Sequence, residues 1–255
     1  MVDTITPTLR RGINRVSWSM RVKPPRVPRA AQIAGGSTQG PRVVPGTYTV
    51  RLTKGAEKVE TKIALGLDRR APFTLADRKA HFDAAMRAHA LFGDMSALVD
   101  RIDAARSAAE DRAKGLAQGD ALAAKLDVVA KKLEEAKKKI VATKEGGAIT
   151  GEERIREHLD HVYGALNSWE GRPGKYQVER IDALKRELAE VQKTVDEIAL
   201  RDVRPLDDEL KARKLAPIPT EPPAADGKVS AAEARCIETR GGACEARVRA
   251  AAEKD

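Results

Sequence analysis

The chain has few aromatic side chains: two Trp, three Tyr and three Phe in 255 residues, or 3%. Hydrophobic residues reach 42%, but much of that is alanine, which excludes one broad core and points to thin cores between helices. No run of 18 apolar residues occurs, so no membrane-spanning helix is expected. The opening "MVDTITPTLRRG" lacks the apolar stretch of a signal peptide, and no export signal is expected in it. The G-x-S-x-G elbow, the P-loop, the dinucleotide fingerprint and the H-E-x-x-H zinc motif are all missing. Motifs therefore assign no catalytic, cofactor-binding or metal-binding residue.

What is present is charge, unevenly spread. Residues 1–72 hold 14 Lys/Arg against 4 Asp/Glu, residues 73–215 hold 27 of each, and residues 216–255 hold 6 against 7. The basic excess of the chain, +9 in all, thus belongs to its first 72 residues. A basic surface invites nucleic acid, an anionic glycan or polymer, or lipid headgroups. Nucleic acid is disfavoured, because Trp18, Tyr48 and Phe73 alternate with no basic stripe on which bases would stack. The plain alternative is that these arginines meet an acidic neighbour or keep the segment soluble.

"GINRVSWSMR", residues 12–21, alternates around Ile13, Val16 and Trp18 and reads as a strand. Residues 22–46 contain five prolines and "AGGSTQG" and read as a long irregular connection. "PGTYTVRL" sets Tyr48, Val50 and Leu52 on one face; "TKGAEK" turns, and "VETKIALGL" returns as the paired strand. Three or four strands fall short of the seven or so of an immunoglobulin-like sandwich. The expectation is a partial Ig-like antiparallel sheet in residues 1–72, with Trp18, Tyr48, Val50 and Leu52 as its core.

From Thr74 the period becomes helical. "TLAD" offers Thr74 as N-cap with Asp77 three residues on, and the helix runs to about Ala117 with Phe82, Phe92, Val99 and Ile102 on one stripe. A second helix, about 120–143, spaces Leu122, Leu126, Val129, Leu133, Ala136 and Ile140 by fours and threes. Its "KKLEEAKKK" reads as a solvated face. "TGEE", Thr150 with Glu153, is a capping box before a third helix that turns Ile155, Leu159, Val162, Leu166 and Trp169 inward. A fourth helix, about 175–202, carries a heptad seam of Ile181, Leu184, Leu188, Val191, Val195 and Ile198, and Pro205 stops or kinks it. Four such helices bury their stripes most simply as an elongated antiparallel four-helix bundle over residues 73–215. Residues 216–255 read as a Pro-rich linker and an Ala-rich tail. The expected fold class is α+β, mostly α.

The histidines offer little chemistry. His158 and His161 have metal-like spacing beside Glu157, but a bundle site needs converging carboxylates from neighbouring helices, so no metal is expected. His89 lies on the apolar stripe of the first helix and reads as a hydrogen-bonded core or boundary histidine rather than a catalytic one. "AGGSTQG" precedes no helix and cannot turn a helix dipole on a phosphate. Cys236 and Cys244 enclose "IETRGGA": an exported protein would close a small disulfide loop there, and a reducing compartment would keep two thiols.

The order of "GINRVSW", a Pro/Gly-rich connection, "PGTYTVRL" and a helical region containing "LNSWEGRPGKYQ" resembles the C-terminal region of bacterial BNR-repeat, sortilin-like propeller proteins. These are often labelled glycosyl hydrolase or sialidase-like, and the likeness covers about residues 8–218. In that family a β-propeller precedes an Ig-like module and a helical segment. Where the family usually has Trp-Asp-Leu-Arg this chain has Trp18-Ser19-Met20-Arg21, so the role of that aspartate is not carried over. The resemblance implies a non-catalytic accessory or scaffold module of an exported, periplasmic or extracellular protein. Its partners would be an upstream propeller or the missing Ig-like strands, and any hydrolase activity would reside in the propeller. It also favours the bridged reading of Cys236 and Cys244. Two alternatives stay open: a portion of a glycosyl hydrolase active only with its propeller, and anionic-polymer binding by the basic N-terminal segment.

Overall fold

The computed structural model describes residues 2–6, 11–32, 34–144 and 152–221. They form an α+β arrangement dominated by helix, with one two-stranded antiparallel sheet. Thr150, Cys236 and Cys244 lie outside the described residues.

Strands β1 (Gly46–Lys54) and β2 (Glu57–Leu65) pair along their whole length, from Lys54↔Glu57 beside the turn to Gly46↔Leu65 at the open end. Gly55 holds φ +60° at the first central position of the two-residue turn, where a type II′ hairpin requires glycine. Residues 13–19 form no strand, and Ile13 is fully exposed. The expected Ig-like core is therefore corrected. Val50 and Leu52 are 40% and 59% exposed, while Trp18 and Tyr48 are half-buried against each other as an edge-to-face pair at 5.3 Å. Alternation marks an apolar face, but burying it needs a second layer, and the described residues supply none.

Helix α1 (Leu75–Lys114) has 40 residues and is about 60 Å long. Thr74 caps it: its Oγ1 accepts from Asp77 N and its own N–H donates to Asp77 Oδ2, both at 3.1 Å. Gly119, at φ +84°, and the N-cap Asp120 start α2 (Ala121–Ile140). Helix α3 is Ile155–Asn167, and Glu157 Oε2 accepts from Arg154 N at 3.2 Å at its start. Helix α4 (Lys175–Ile198) passes through a π turn, Ala199–Val203, into α5 (Arg204–Ala212).

Cross-helix contacts fix the directions. Lys137–Asp103 (2.7 Å) and Arg106–Glu134 (3.4 Å) set α2 antiparallel to α1. The Phe92–Tyr163 ring contact and the His81–Leu166 carbonyl contact set α3 antiparallel to α1 as well. Arg87–Asp182 and Arg101–Asp196 set α4 parallel to α1. The helices therefore stand in three columns rather than alternating up and down. Length is the reason: α2 and α3, with 20 and 13 residues, must line up end to end to cover one side of the 40-residue α1.

Ile181, Leu184, Leu188, Val191, Val195 and Ile198 are all buried, facing α1, α2 and α3 from the third column. Each buried side chain of this size contributes about 1.5–3 kcal/mol. Beyond Ile198 the next buried residues are Val203, Leu206 and Leu210, so one step of the stripe is five residues instead of four. The π turn absorbs the extra residue: Arg204 N–H bonds back to Ala199 O, five residues away. Asp202, which a regular helix would bring to the seam, instead pairs with Lys132 at 2.7 Å on the outside. Pro205 does not stop the helix; it sits in the first turn of α5, where a missing N–H costs nothing. Trp169 is also corrected. α3 ends at Asn167, so Trp169 falls off the stripe, 58% exposed, with its ring edge-on to Phe73 at 5.2 Å.

The proline-rich residues 21–32 and 34–42 form a strap over the junction of α2 and α3. Its neck closes through Val22 N→Pro41 O (3.0 Å) and Val43 N→Met20 O (2.9 Å). It bonds to α1 through Ser96 Oγ→Arg26 O (2.9 Å) and crosses the junction at Ala31 N→Ala142 O (3.1 Å). It returns along α3, where Gly36 meets Gly164: a Cβ on Gly36 would lie 2.4 Å from Asp160 O. Only glycine fits there.

Candidate functional site

Two regions hold polar or apolar groups in unusual places. The first is the hairpin. Among the described residues β1 and β2 pair with each other and with no other strand, so both edges are open there. On one face Tyr48↔Ile63, Val50↔Thr61 and Leu52↔Val59 stand opposite each other, and Val59 is 64% exposed. On the other face Arg51 Nε donates to Glu60 Oε1 at 2.6 Å. A lone two-stranded hairpin is marginal in water, and an exposed edge beside apolar side chains is a template for another strand. The root of the hairpin is fixed. Tyr48 OH donates to Val44 O, the Tyr48 ring meets Trp18, and Trp18 Nε1 donates to Arg21 O at 3.3 Å.

The second region is a polar clasp between the strap neck, α1 and the end of α3. Arg21 Nη1 donates to Gly40 O (2.8 Å) and Asn167 Oδ1 (3.2 Å); Tyr163 OH donates to Gln39 O (2.9 Å). Arg78 Nη1 donates to Glu170 O (2.9 Å), and Arg42 pairs with the Glu170 carboxylate at 3.0 Å. His81 is buried with Nε2 2.7 Å from Leu166 O; a carbonyl only accepts, so Nε2 carries the proton and Nδ1 faces Arg78 Nη1 at 3.5 Å. Burial holds the His81 pKa below the ordinary value, with Arg78 adding to the effect, so the ring is neutral. Burial pushes the Tyr163 hydroxyl up to about 12, against the pull of Asn167 and Arg21. A general acid or base needs a free face on the reacting group. Here Arg21, Arg78, His81 and Tyr163 donate to carbonyl oxygens, which ties the strap to the bundle, while Asn167 Nδ2 is buried without a hydrogen-bond partner among the described residues.

The strap is tied twice more on α3. Asp160 accepts from Gly36 N (2.9 Å) and Ser37 N (2.8 Å), so the glycine-rich loop presents its amides to an internal carboxylate. Arg156 and Glu157 form a buried pair at 2.6 Å. Arg156 also donates to Pro28 O (3.0 Å) and Gln32 O (2.9 Å), and Glu157 accepts from Ala142 N (3.2 Å). A buried pair tolerates desolvation only when its remaining donors and acceptors are met in this way.

The sequence-marked residues separate accordingly. His89 is half-buried with Nε2 3.0 Å from Lys23 O, at the boundary between strap and α1. His158 lies 3.5 Å from Glu153 and His161 is exposed. Among the described residues no three His, Cys, Asp or Glu converge as a metal-ligand set. Of the basic N-terminal arginines, Arg26 pairs with Asp100, Arg42 with Glu170 and Arg51 with Glu60. Two of those three acids, Asp100 and Glu170, belong to the helical segment. An open groove of about 550 Å³ lies between α2 and α4, lined by Val128, Lys132, Ile198 and Arg201 among others. Nothing local in the sequence marks Arg156, Asp160 or His81, whose contacts with Pro28, Ser37 and Leu166 span 85 to 128 residues of chain. Compared with known proteins, the chain matches no family model, no curated protein and no solved structure.

Proposed function

We propose that the chain is a non-catalytic scaffold module for protein–protein packing, in which the helical bundle and its strap hold out the β1–β2 hairpin as the docking element. The observation that carries this reading is the exposure of Val50, Leu52 and Val59 on a hairpin with two open edges and a fixed root. Strand addition to an edge uses the main-chain donors and acceptors that are already lined up, and the neighbouring apolar face adds burial. An exported propeller protein is one setting for such a module, on the strength of the sequence resemblance alone. Anionic-polymer binding gains less support, because Arg21, Arg26, Arg42 and Arg51 are engaged within the fold.

Excision tests the proposal. The hairpin ends face each other across a strand pair, about 5 Å apart, so a Gly-Ser pair can replace residues 47–64. Compared at concentrations where both are monomeric, the excised chain should melt within about 2 °C of the full chain, because the hairpin serves a partner rather than the core. A fall of about 6 °C or more would make the hairpin part of the fold's own stability and contradict the docking reading.

A further inference from the structure

We infer that the partner strand comes from a second copy of this chain, and that the two β2 strands pair antiparallel about a two-fold axis through Thr61. This inference rests on the docking reading above and names its occupant.

The backbone limits the possible registers. Lys54↔Glu57 flank a two-residue turn and so form a hydrogen-bonded pair, as do Leu52↔Val59, Val50↔Thr61 and Tyr48↔Ile63. The odd-numbered residues of β2 therefore face β1, and Lys58, Glu60, Lys62 and Ala64 turn their N–H and C=O groups to the free edge. Among the described residues, those edge groups have no other backbone partner. A symmetric antiparallel pair must then match even with even and odd with odd residues. Thr61 is the middle residue of the nine in β2, and only an axis through it pairs the strand over its full length.

In that register the side chains complement each other. Glu60 stands opposite Lys62 of the second copy, twice per dimer, and Val59 stands opposite Ile63. Glu60 then lies between Arg51 of its own hairpin and Lys62 of the other, continuing the ion pair already present at 2.6 Å. An axis through Glu60 or Lys62 would instead set like charges against each other. An axis through Val59 pairs Lys58 with Glu60 but runs into the turn after two residues. β1 carries two charges, Arg51 and Lys54, both basic, and no acid, so its edge has no such self-complementarity. The resulting four-stranded sheet joins both apolar faces, Tyr48, Val50, Leu52, Val59 and Ile63, into one surface, and the interface is isologous.

Sedimentation velocity on the full chain over a range of concentrations tests this directly. The full chain should dimerise reversibly. Glu60→Lys and Lys62→Glu should each place two like-charge pairs in the interface and weaken dimerisation about tenfold or more. Mixing the two variants should restore association, because every pair in the mixed dimer is then of opposite sign. Misfolding cannot mimic that rescue. In a Cys236→Ala/Cys244→Ala background, Thr61→Cys should oxidise to a covalent dimer, since directly opposite residues of a non-hydrogen-bonded pair lie about 4.5 Å apart at Cα, within disulfide reach. A full chain that stays monomeric, charge variants that dimerise as well as the parent, a mixture without rescue, or Thr61→Cys thiols that do not join would each overturn the second-copy assignment. If excision of the hairpin is harmless to melting, such a result leaves the docking reading standing. If excision lowers melting, the docking reading itself has failed.

Discussion

Replacing Asp160 with alanine should detach the strap from α3. Its carboxylate accepts from Gly36 N at 2.9 Å and Ser37 N at 2.8 Å, and both Asp160 and Ser37 are more than nine-tenths buried. Bonds to a charged acceptor are worth about 1.5–3 kcal/mol each, and water entering the vacated space would recover part of one. The net loss is about 3 kcal/mol, which for a chain of this size lowers melting by about 6–12 °C. Asp160→Asn keeps one acceptor and should cost about half as much. Gly36→Ala attacks the same contact from the other side, since its Cβ would sit 2.9 Å from Gly164 Cα. The double variant Gly36→Ala/Asp160→Ala should therefore cost little more than either single one. Thermal unfolding by circular dichroism reads all four variants, and hydrogen exchange at Gly36 and Ser37 reports whether the strap opens. A melting shift below about 2 °C for Asp160→Ala, or additive losses in the double variant, would refute the reasoning.

His81 gives a pH dependence of known sign. Its folded pKa lies below the ordinary value, so the unfolded chain takes up a proton near pH 6.5 that the folded chain refuses, and stability present above that pH is lost as the pH falls through it. His81→Gln should flatten the fall in melting temperature between about pH 7 and 5; an unchanged slope would assign it elsewhere. Pro205→Ala should keep the π turn, because Val203, Leu206 and Leu210 still demand a five-residue step from Ile198. A structure of that variant with a regular α-helix through residues 199–203 would show that proline, not the phase of the stripe, imposes the turn.

How far these features could be read in the sequence differs from element to element. The α4 seam needs only periodicity, and all six of its residues face the core. The π turn is not marked by Pro205, where the sequence suggests a stop or kink; it follows from the five-residue step between the buried Ile198 and Val203. The α1 cap is local, so Thr74 and Asp77 announce it. The strap was not legible. Its partners on α3, Arg156 and Asp160, look like ordinary solvated charges until the fold brings residues 28–37 onto them. The sheet was overread for a related reason. Alternation at Tyr48, Val50 and Leu52 reports a sided strand but carries no information on whether anything covers that side. Periodicity likewise marks α1 to α4 but could not set α4 parallel to α1, which depends on the unequal helix lengths.

The most direct test of the account asks whether the hairpin face meets another polypeptide where the protein is made. A photo-reactive amino acid placed at Val59, 64% exposed on the apolar face, should form a discrete adduct on irradiation of producing cells. The same group at Asp111, exposed near the end of α1, should form none. An adduct of twice the chain's mass identifies the second copy, and one of another mass identifies a different docking partner. No adduct from Val59, or equal adducts from Val59 and Asp111, would contradict the claim that the hairpin is the docking surface.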